Sequence, residues 1–493
     1  MMIGRKDFKN KIGWHFDNTY SALPEIMLSK LLPVPVKSPK LVILNKELSE
    51  DLNLNFSSID SKVLAEIFSG NLLPEGSESI AQAYAGHQFG HLTMLGDGRA
   101  IILGEHITQN NKRFDIQFKG SGLTPYSRNA DGRAALGPML REYIISEAMH
   151  GLGIPTTRSL AVVTTGEEVI RETPLPGAIL TRVASSHMRV GTFQYAALHR
   201  DIKLLKKILN YAVERHYPGL KGKDNLATEF LGALIEKQTE LVTNWMRVGF
   251  IHGVMNTDNM TISGETIDYG PCAFMDNYDP ETVFSSIDHQ GRYAYFNQPS
   301  ITKWNLTRFA ETLLPLIDDN EDKAVSIANE LINNFNDLYK KKWFLMMRKK
   351  LGIFGEDPKD KNLIEDLLKW MKQNKADYTN TFCLLMKTDV KKNKYFQDSD
   401  FINWYKRWET RLANNKKTKD ESFLLMKASN PLIIPRNYKV EESLEAATNS
   451  GNLKPLNLLL NYLKKPYTNQ PGISDLQILP KMNGKKYITF CGT

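Results

Sequence analysis

The sequence predicts an α+β fold in two lobes, a smaller β-rich lobe followed by a larger helical one. Glycines are dense between residues 81 and 195, and short β-type runs appear there. From residue 204 onward the hydrophobic pattern is mostly helical. The predicted strands cover residues 100–104, 114–118, 160–164 and 178–183. A ligand cleft is expected where the two lobes meet.

The predicted boundaries divide the 493 residues into four parts. These are an N-terminal extension (1–80), the β-rich lobe (81–177), the helical lobe (178–465) and a C-terminal tail with Cys491 (466–493). Two helices stand out within this plan. Apolar residues recur at four-residue steps over residues 136–149, and a long amphipathic stretch covers residues 228–248.

Composition narrows the class of protein. Lysine and arginine number 63 against 55 acidic residues, but no nucleic-acid recognition motif accompanies this surplus, so we expect no nucleic-acid partner. No run of eighteen apolar residues is present, which predicts no membrane span. The N-terminus has neither a secretory nor an organelle-targeting pattern, so a cytoplasmic location is expected.

Two glycine-flanked turns in the β-rich lobe are candidates for binding phosphate. Gly96, Gly98 and Arg99 form a turn before a predicted strand, where backbone amides can cradle an anion, although an ordinary hairpin turn fits as well. Lys119 closes a strand and is followed by two glycines, which places an ammonium group beside free backbone amides. The spacing differs from that of a Walker A motif.

Three further charged residues could join Lys119. Glu142 lies 23 residues later on the predicted helix, and a strand lysine paired with a helix glutamate is the arrangement that protein kinases use. Arg182 and Arg189 offer bidentate contacts to phosphate oxygens. Unrelated surface charges remain the alternative interpretation for all three.

The strongest motif is HGVMNTDN at residues 252–259, followed by DYG at 268–270. Kinase-like small-molecule phosphotransferases carry HGDxxxxN and D-x-G, where the Asn and the second Asp hold metal. Asn259 and Asp268 match those ligands, but Val254 occupies the position of the catalytic base and cannot accept a proton. The motif therefore indicates a kinase-like fold that is either inactive or uses another carboxylate, for which Asp258 is the nearest candidate.

Taken together, these motifs resemble the selenoprotein O (SelO/YdiU) family. The resemblance runs from about residue 16 to the C-terminus and is most specific between residues 80 and 305. The matching segments are AQAYAGHQFG (81–90), GDGR (96–99), QFKGSGLTPYSR (117–128), DGRA (131–134), IPTTR (154–158), HGVMNTDN (252–259) and DYGPCAFMD (268–276).

That resemblance implies a pseudokinase fold that binds ATP in a flipped orientation and transfers AMP to Ser, Thr or Tyr hydroxyls of proteins. It implies nucleotide contacts from Gly96, Gly98, Arg99, Lys119, Asp131, Gly132, Arg182, Arg189 and Asp268, and pairing of Glu142 with Lys119. Asp258 would accept the proton, while Asn259 and Asp268 would hold Mg²⁺ or Mn²⁺. The family also often carries selenocysteine or cysteine near its C-terminus, so Cys272 and Cys491 could form a redox pair; two free thiols are the alternative.

Two other functions remain open at this point. The chain could be a conventional phosphotransferase in which Asp258 replaces the missing base. It could also be a catalytically inactive ATP-binding scaffold, which the valine at position 254 makes plausible. The matched metal ligands Asn259 and Asp268 argue against the scaffold.

Overall fold

The structure is a computed structural model that describes residues 12–387, 389–480 and 487–489. Within them lie eleven strands and fifteen α-helices. The strands are β1 (Leu28–Lys30), β2 (Lys40–Leu44), β3 (Ile80–Gln88), β4 (His91–Gly96), β5 (Ala100–Ile107), β6 (Arg113–Lys119), β7 (Ala134–Ala135), β8 (Arg158–Ile170), β9 (Pro174–Ala184), β10 (Phe250–Ile251) and β11 (Ala273–Phe274). The helices are α1 (Lys46–Asp51), α2 (Ser61–Ser69), α3 (Leu136–Gly151), α4 (Val190–Leu198), α5 (Ile202–His216), α6 (Leu226–Val248), α7 (Gln298–Ile317), α8 (Glu321–Lys350), α9 (Asp360–Gln373), α10 (Tyr378–Leu385), α11 (Ser399–Ala413), α12 (Lys419–Ser429), α13 (Asn437–Ser450), α14 (Lys454–Leu463) and α15 (Ile473–Gln477).

Nine of the strands form one antiparallel sheet. Its strand order is β1-β3-β5-β6-β9-β8-β2, with β4 paired to β3 and β7 paired to β9. The remaining strands, β10 and β11, form a separate antiparallel pair in which Phe250 lies opposite Phe274. A large sheet beside many helices confirms the α+β prediction.

The predicted elements between residues 100 and 248 are present. The four predicted strands fall within β5, β6, β8 and β9, and the two predicted helices correspond to α3 and α6. The periodic apolar residues of α3 are buried as expected, with Leu140, Ile144 and Ala148 all at 0% exposure. Strands β1 to β4 were not predicted. The first two lie within residues 1–80 and join the sheet at its two ends.

The helix α3 lies at the centre of the packing that supports the cleft. It packs on β8 and β9, and α13 and α14 cover it from the other side. One apolar cluster joins these elements and also includes residues of α6, such as Trp245 and Val248. Polar side chains of α3 that face the sheet are therefore held in fixed positions. No helix in the described ranges combines the length and apolarity needed to cross a bilayer.

Candidate active site

A cleft of about 290 Å³ opens between the sheet and the segment that follows β10. All but one of the twelve residues proposed from the sequence line it; the exception, Glu142, lies buried behind Lys119. The residues that the structure brings to this cleft are Gly96, Gly98, Arg99, Lys119, Asp131, Gly132, Arg182, Arg189, Asp258, Asn259 and Asp268.

Two cations and two carboxylates form a network at the base of the cleft. Lys119, the last residue of β6, donates from Nζ to Glu142 Oε2 at 2.7 Å and also pairs with Asp268. Arg182 lies on the adjacent strand β9, opposite Gln117 of β6. Its Nε donates to Glu142 Oε1 at 2.7 Å, and its Nη2 donates to Asp268 Oδ1 at 3.1 Å. The strand pairing and α3 thus fix both cations beside Asp268.

Electrostatics keep both carboxylates of this network ionised. Burial alone would raise the pKa of Glu142, but the charges of Arg182 and Lys119 outweigh it and lower that pKa. The same balance holds the pKa of Asp268 well below its ordinary value, since burial is outweighed by Lys119 and then by Arg182. The network therefore carries two positive and two negative charges at neutral pH.

Arg189 holds a second position in the cleft. It is the N-cap residue of α4, and its Nη1 donates to the backbone oxygen of Asp258 at 3.2 Å. Its guanidinium lies 4.3 Å from the centroid of the Tyr84 ring and 3.6 Å from Asp97 Oδ1. Sequence reasoning missed Tyr84 and Asp97, because a lone tyrosine and a turn aspartate give no spacing signal.

The turn at Gly96 and Gly98 needs glycine because the Tyr126 segment packs directly against it. Gly96 has φ +149°, and a Cβ there would lie 2.3 Å from Tyr126 Cγ. A Cβ on Gly98 would lie 2.9 Å from the Tyr126 carbonyl oxygen. The carbonyl of Arg99 then accepts a bond from the Gly120 amide at 2.7 Å, which ties this turn to the one after Lys119.

Asp131 and Gly132 lie at the rim of the cleft. Asp131 is exposed and accepts a bidentate contact from Arg171 at 2.8 and 3.2 Å, which lowers the pKa of Asp131. Gly132 has φ +68°, and a Cβ there would lie 2.3 Å from the Gly122 carbonyl carbon. The rim also contains Arg171 itself, which sequence reasoning did not single out.

Asp258 and Asn259 come from the segment after β10. Asp258 is largely enclosed, and this burial raises its pKa to about 6 against the opposing effect of Arg189. Its Oδ1 accepts a bond from Gln88 Nε2 at 2.7 Å. Asn259 donates from Nδ2 to the carbonyl of Val254 at 3.0 Å. A raised pKa is a property expected of a carboxylate that accepts a proton.

The donor set at Asn259 and Asp268 fits a hard divalent cation. Because the Asn259 Nδ2 is bonded to Val254, its amide oxygen is the coordinating atom that remains. Asp268 supplies an ionised carboxylate at the same cleft, from a left-handed backbone with φ +66°. Among the described residues no cluster of three or more His, Cys, Asp or Glu side chains could hold a metal. One carboxylate and one amide oxygen suit Mg²⁺ or Mn²⁺, which complete their shells with phosphate oxygens and water.

The side chains that line the cleft carry a net positive charge. Seven lysine and arginine side chains line it against four aspartates. The cations are Arg99, Lys119, Arg128, Arg133, Arg171, Arg182 and Arg189. Such a lining can neutralise a polyphosphate, which carries several negative charges at neutral pH.

Two of the three cysteines lie within the described residues. Cys272 and Cys383 are buried, and burial raises the pKa of each thiol to about 12. Neither is in a disulfide within the described residues. Cys491, the expected redox partner of Cys272, lies outside those residues.

Comparisons with known proteins match nearly the whole chain. A family model described as protein adenylyltransferase SelO matches residues 12–464. Relatives with the name protein nucleotidyltransferase YdiU match this chain over almost their whole length, as three of them show. The one from Pelagibacter ubique (strain HTCC1062) is 61% identical over 98% of this chain and 100% of its own length. That from Nitrosococcus oceani is 57% identical over 98% of both chains, and that from Bacillus cytotoxicus is 55% identical over 99% of this chain and 100% of its own. The matched region contains the whole cleft.

Proposed function

Because this chain belongs to the protein adenylyltransferase SelO family, a family of nucleotidyltransferases, we propose that it transfers AMP from ATP to protein hydroxyls. The acceptors are Ser, Thr and Tyr side chains, and pyrophosphate is released. The observation that carries this proposal is a single cleft that is lined by seven cationic side chains and also contains the partly buried carboxylate of Asp258. Val254 occupies the position of the kinase base and cannot accept a proton. Asp258, four residues later in the same motif, is the nearest carboxylate along the sequence.

The proposed architecture is that of a protein kinase with two lobes. The proposed boundaries are residues 81–177 for the smaller lobe and 178–465 for the helical lobe, with extensions at 1–80 and 466–493. Strand β9 crosses the boundary between the lobes, and β1 and β2 of the first extension join the sheet of the smaller lobe. The HG and D-x-G motifs, together with a strand lysine bonded to a helix glutamate, support this assignment. The separate β10–β11 pair holds the two motifs next to each other, since Ile251 lies opposite Ala273.

In the proposed mechanism ATP binds with its β- and γ-phosphates toward Lys119, Arg182 and Arg189. The α-phosphorus then faces Asp258. As the acceptor hydroxyl oxygen attacks, Asp258 takes its proton, and the bond from the α-phosphorus to the bridging oxygen breaks. Pyrophosphate leaves with its negative charge stabilised by the same cations. Gly96, Gly98, Arg99, Asp131 and Gly132 contact the nucleotide from the rim.

Asn259 and Asp268 would hold Mg²⁺ or Mn²⁺ in this scheme. When bound, the cation neutralises phosphate charge and helps to orient the triphosphate. The role of Glu142 is to hold Lys119 and Arg182 in place, because it contacts both at the base of the cleft. We further propose that the acceptors are cytoplasmic proteins.

ATP labelled separately at the α- and γ-phosphorus tests this function. With metal present, α-labelled ATP is expected to label protein and γ-labelled ATP is not, because only the α-phosphate stays on the acceptor. Intact-mass analysis of the enzyme and of a bystander protein should show added AMP groups. Labelling from the γ-phosphate would instead identify a conventional phosphotransferase. Nucleotide binding without labelling from either position would identify a scaffold.

Substituting Val254→Asp restores a carboxylate at the position where kinases carry their base. We expect that this variant does not become an efficient kinase, because the proposed ATP orientation presents the α-phosphorus to the acceptor. Transfer from γ-labelled ATP should stay at background, whereas transfer from α-labelled ATP persists. Rapid γ-phosphate transfer by Val254→Asp would contradict the flipped orientation. The exposed substitution Val325→Asp on α8 serves as the matched control.

A further inference from the structure

The tip of the β3–β4 hairpin is docked onto the segment that carries Asp258. Its two turn residues, Phe89 and Gly90, both have positive φ, at +49° and +97°. This conformation is unfavourable for a bulky residue such as Phe89 and persists only where surrounding contacts hold it. Those contacts are present: the Phe89 amide donates to Asn256 Oδ1 at 3.2 Å, and its ring lies 5.1 Å from that of Tyr293.

A chain of three side-chain hydrogen bonds leads through this tip to Asp258. Tyr293 donates from its hydroxyl to Asn256 Oδ1 at 2.7 Å. Asn256 Nδ2 donates to Gln88 Oε1 at 2.9 Å, and Gln88 Nε2 donates to Asp258 Oδ1 at 2.7 Å. Burial raises the pKa of Tyr293 to about 12, so its phenol keeps the proton that it donates.

The donor and the acceptor of each hydrogen bond in this series are fixed. The backbone amide of Phe89 can only donate, so Asn256 must turn its Oδ1 toward Phe89 and its Nδ2 toward Gln88. The NH₂ group of Gln88 is then the group that faces Asp258 Oδ1. Its Oε1 then faces Asn256, whose own oxygen is left for Tyr293. Donors and acceptors therefore alternate without conflict, and each bond polarises the next in the same sense.

The neighbouring backbone leaves just enough room for this contact. A Cβ on Gly86 would lie 2.4 Å from Asp258 Oδ1 and 2.9 Å from Gln88 Nε2. Any side chain at position 86 would thus displace the carboxylate or break its bond to Gln88. Gly86 and Gln88 lie on the same face of β3, since residues two apart share a face of a strand.

We propose that Gln88 is a positioning residue that holds Oδ1 of Asp258, so that Oδ2 takes the proton of the acceptor hydroxyl. This inference rests on the proposed role of Asp258 as proton acceptor. In it, the β3–β4 hairpin orients the reacting carboxylate in addition to bordering the nucleotide cleft. Tyr293 and Asn256 act through Gln88 and touch no reacting atom.

Two isosteric variants test whether Gln88 acts through its hydrogen bond to Asp258 or only by filling space. Gln88→Met keeps the size of the side chain and removes the donor, and we expect kcat for AMP transfer to fall roughly 10- to 100-fold. Gln88→Glu places an acceptor against Asp258 Oδ1 and should lower kcat further. The KM for ATP should stay within about twofold in Gln88→Met, because an orientation effect is exerted in the transition state. Gln373→Met, at an exposed glutamine at the end of α9, is the matched control.

A double-mutant cycle tests whether Gln88 acts through Asp258. If it does, Gln88→Met causes no additional loss in an Asp258→Asn background, because the group that it orients is already gone. Additive losses, or an unchanged kcat in Gln88→Met, would overturn the proposal. Normal activity in Asp258→Asn alone would instead refute the assignment of Asp258 as proton acceptor. ATP-induced thermal stabilisation of each variant reports whether its cleft still binds nucleotide.

Discussion

Lys119→Met is expected to lower AMP transfer roughly 10³-fold or more, because it removes one of the two cations at the base of the cleft. Lys119 contacts both Glu142 and Asp268, so its loss also leaves those carboxylates with Arg182 as their shared partner. Incorporation of label from α-labelled ATP, measured at saturating metal, gives the size of the effect.

The Lys119→Met chain should remain folded. Arg182 still donates to both Glu142 and Asp268, so the cost is limited to the two charged hydrogen bonds that Lys119 makes, about 1.5–3 kcal/mol for each. Thermal unfolding separates this modest loss of stability from loss of activity. Lys341→Met, at an exposed lysine on α8, should behave as the parent protein in both measurements. Near-normal turnover by Lys119→Met would rule out its proposed contact with phosphate.

Asp268→Asn is expected to reduce AMP transfer to a similar extent, by roughly 10³-fold, since it removes the one carboxylate proposed to hold the metal. It also leaves Lys119 and Arg182 without their second counter-ion. Asparagine suits this test because it tolerates the left-handed backbone at φ +66°, whereas most other residues would add strain.

Metal titration distinguishes the role of Asp268 in binding from a general loss of structure. If Asp268 is a ligand, Asp268→Asn should need a higher concentration of Mg²⁺ or Mn²⁺ to reach its residual rate. Asp319→Asn, at an exposed aspartate, should leave the metal requirement unchanged. An Asp268→Asn variant with the parent rate and metal dependence would exclude the assignment.

The sequence allowed good prediction where local patterns and packing agree. In α3, apolar residues at four-residue steps face the core, so both the helix and the position of Glu142 could be anticipated. β-Branched or aromatic residues are frequent in β5, β6, β8 and β9, and this composition allowed those strands to be predicted. Strand β3, with the sequence IAQAYAGHQ, lacks that composition and owes its conformation to pairing with β4 and β1.

Prediction of the candidate site failed for contacts between distant segments. Gln88 and Asp258 are 170 residues apart, and nothing in the sequence near Asp258 indicates a donor from a hairpin. Tyr84 and Asp97 likewise meet Arg189 only because β3 and the turn after β4 lie beside the start of α4. Lys119, Glu142, Asn259 and Asp268 were singled out because their spacing forms a motif that can be read along the chain.

The strand order of the sheet determines when each strand can pair as the chain emerges from the ribosome. Its outermost strands, β1 and β2, are synthesised first, yet Leu44 pairs with Ala161 and Leu28 with Gln82. For β2 the partner is made more than a hundred residues later, and until then its backbone amides and carbonyls have no neighbour in the sheet. Domains whose N-terminal part finds its partners late spend longer with unpaired edges exposed, the period in which a growing chain is most prone to aggregate.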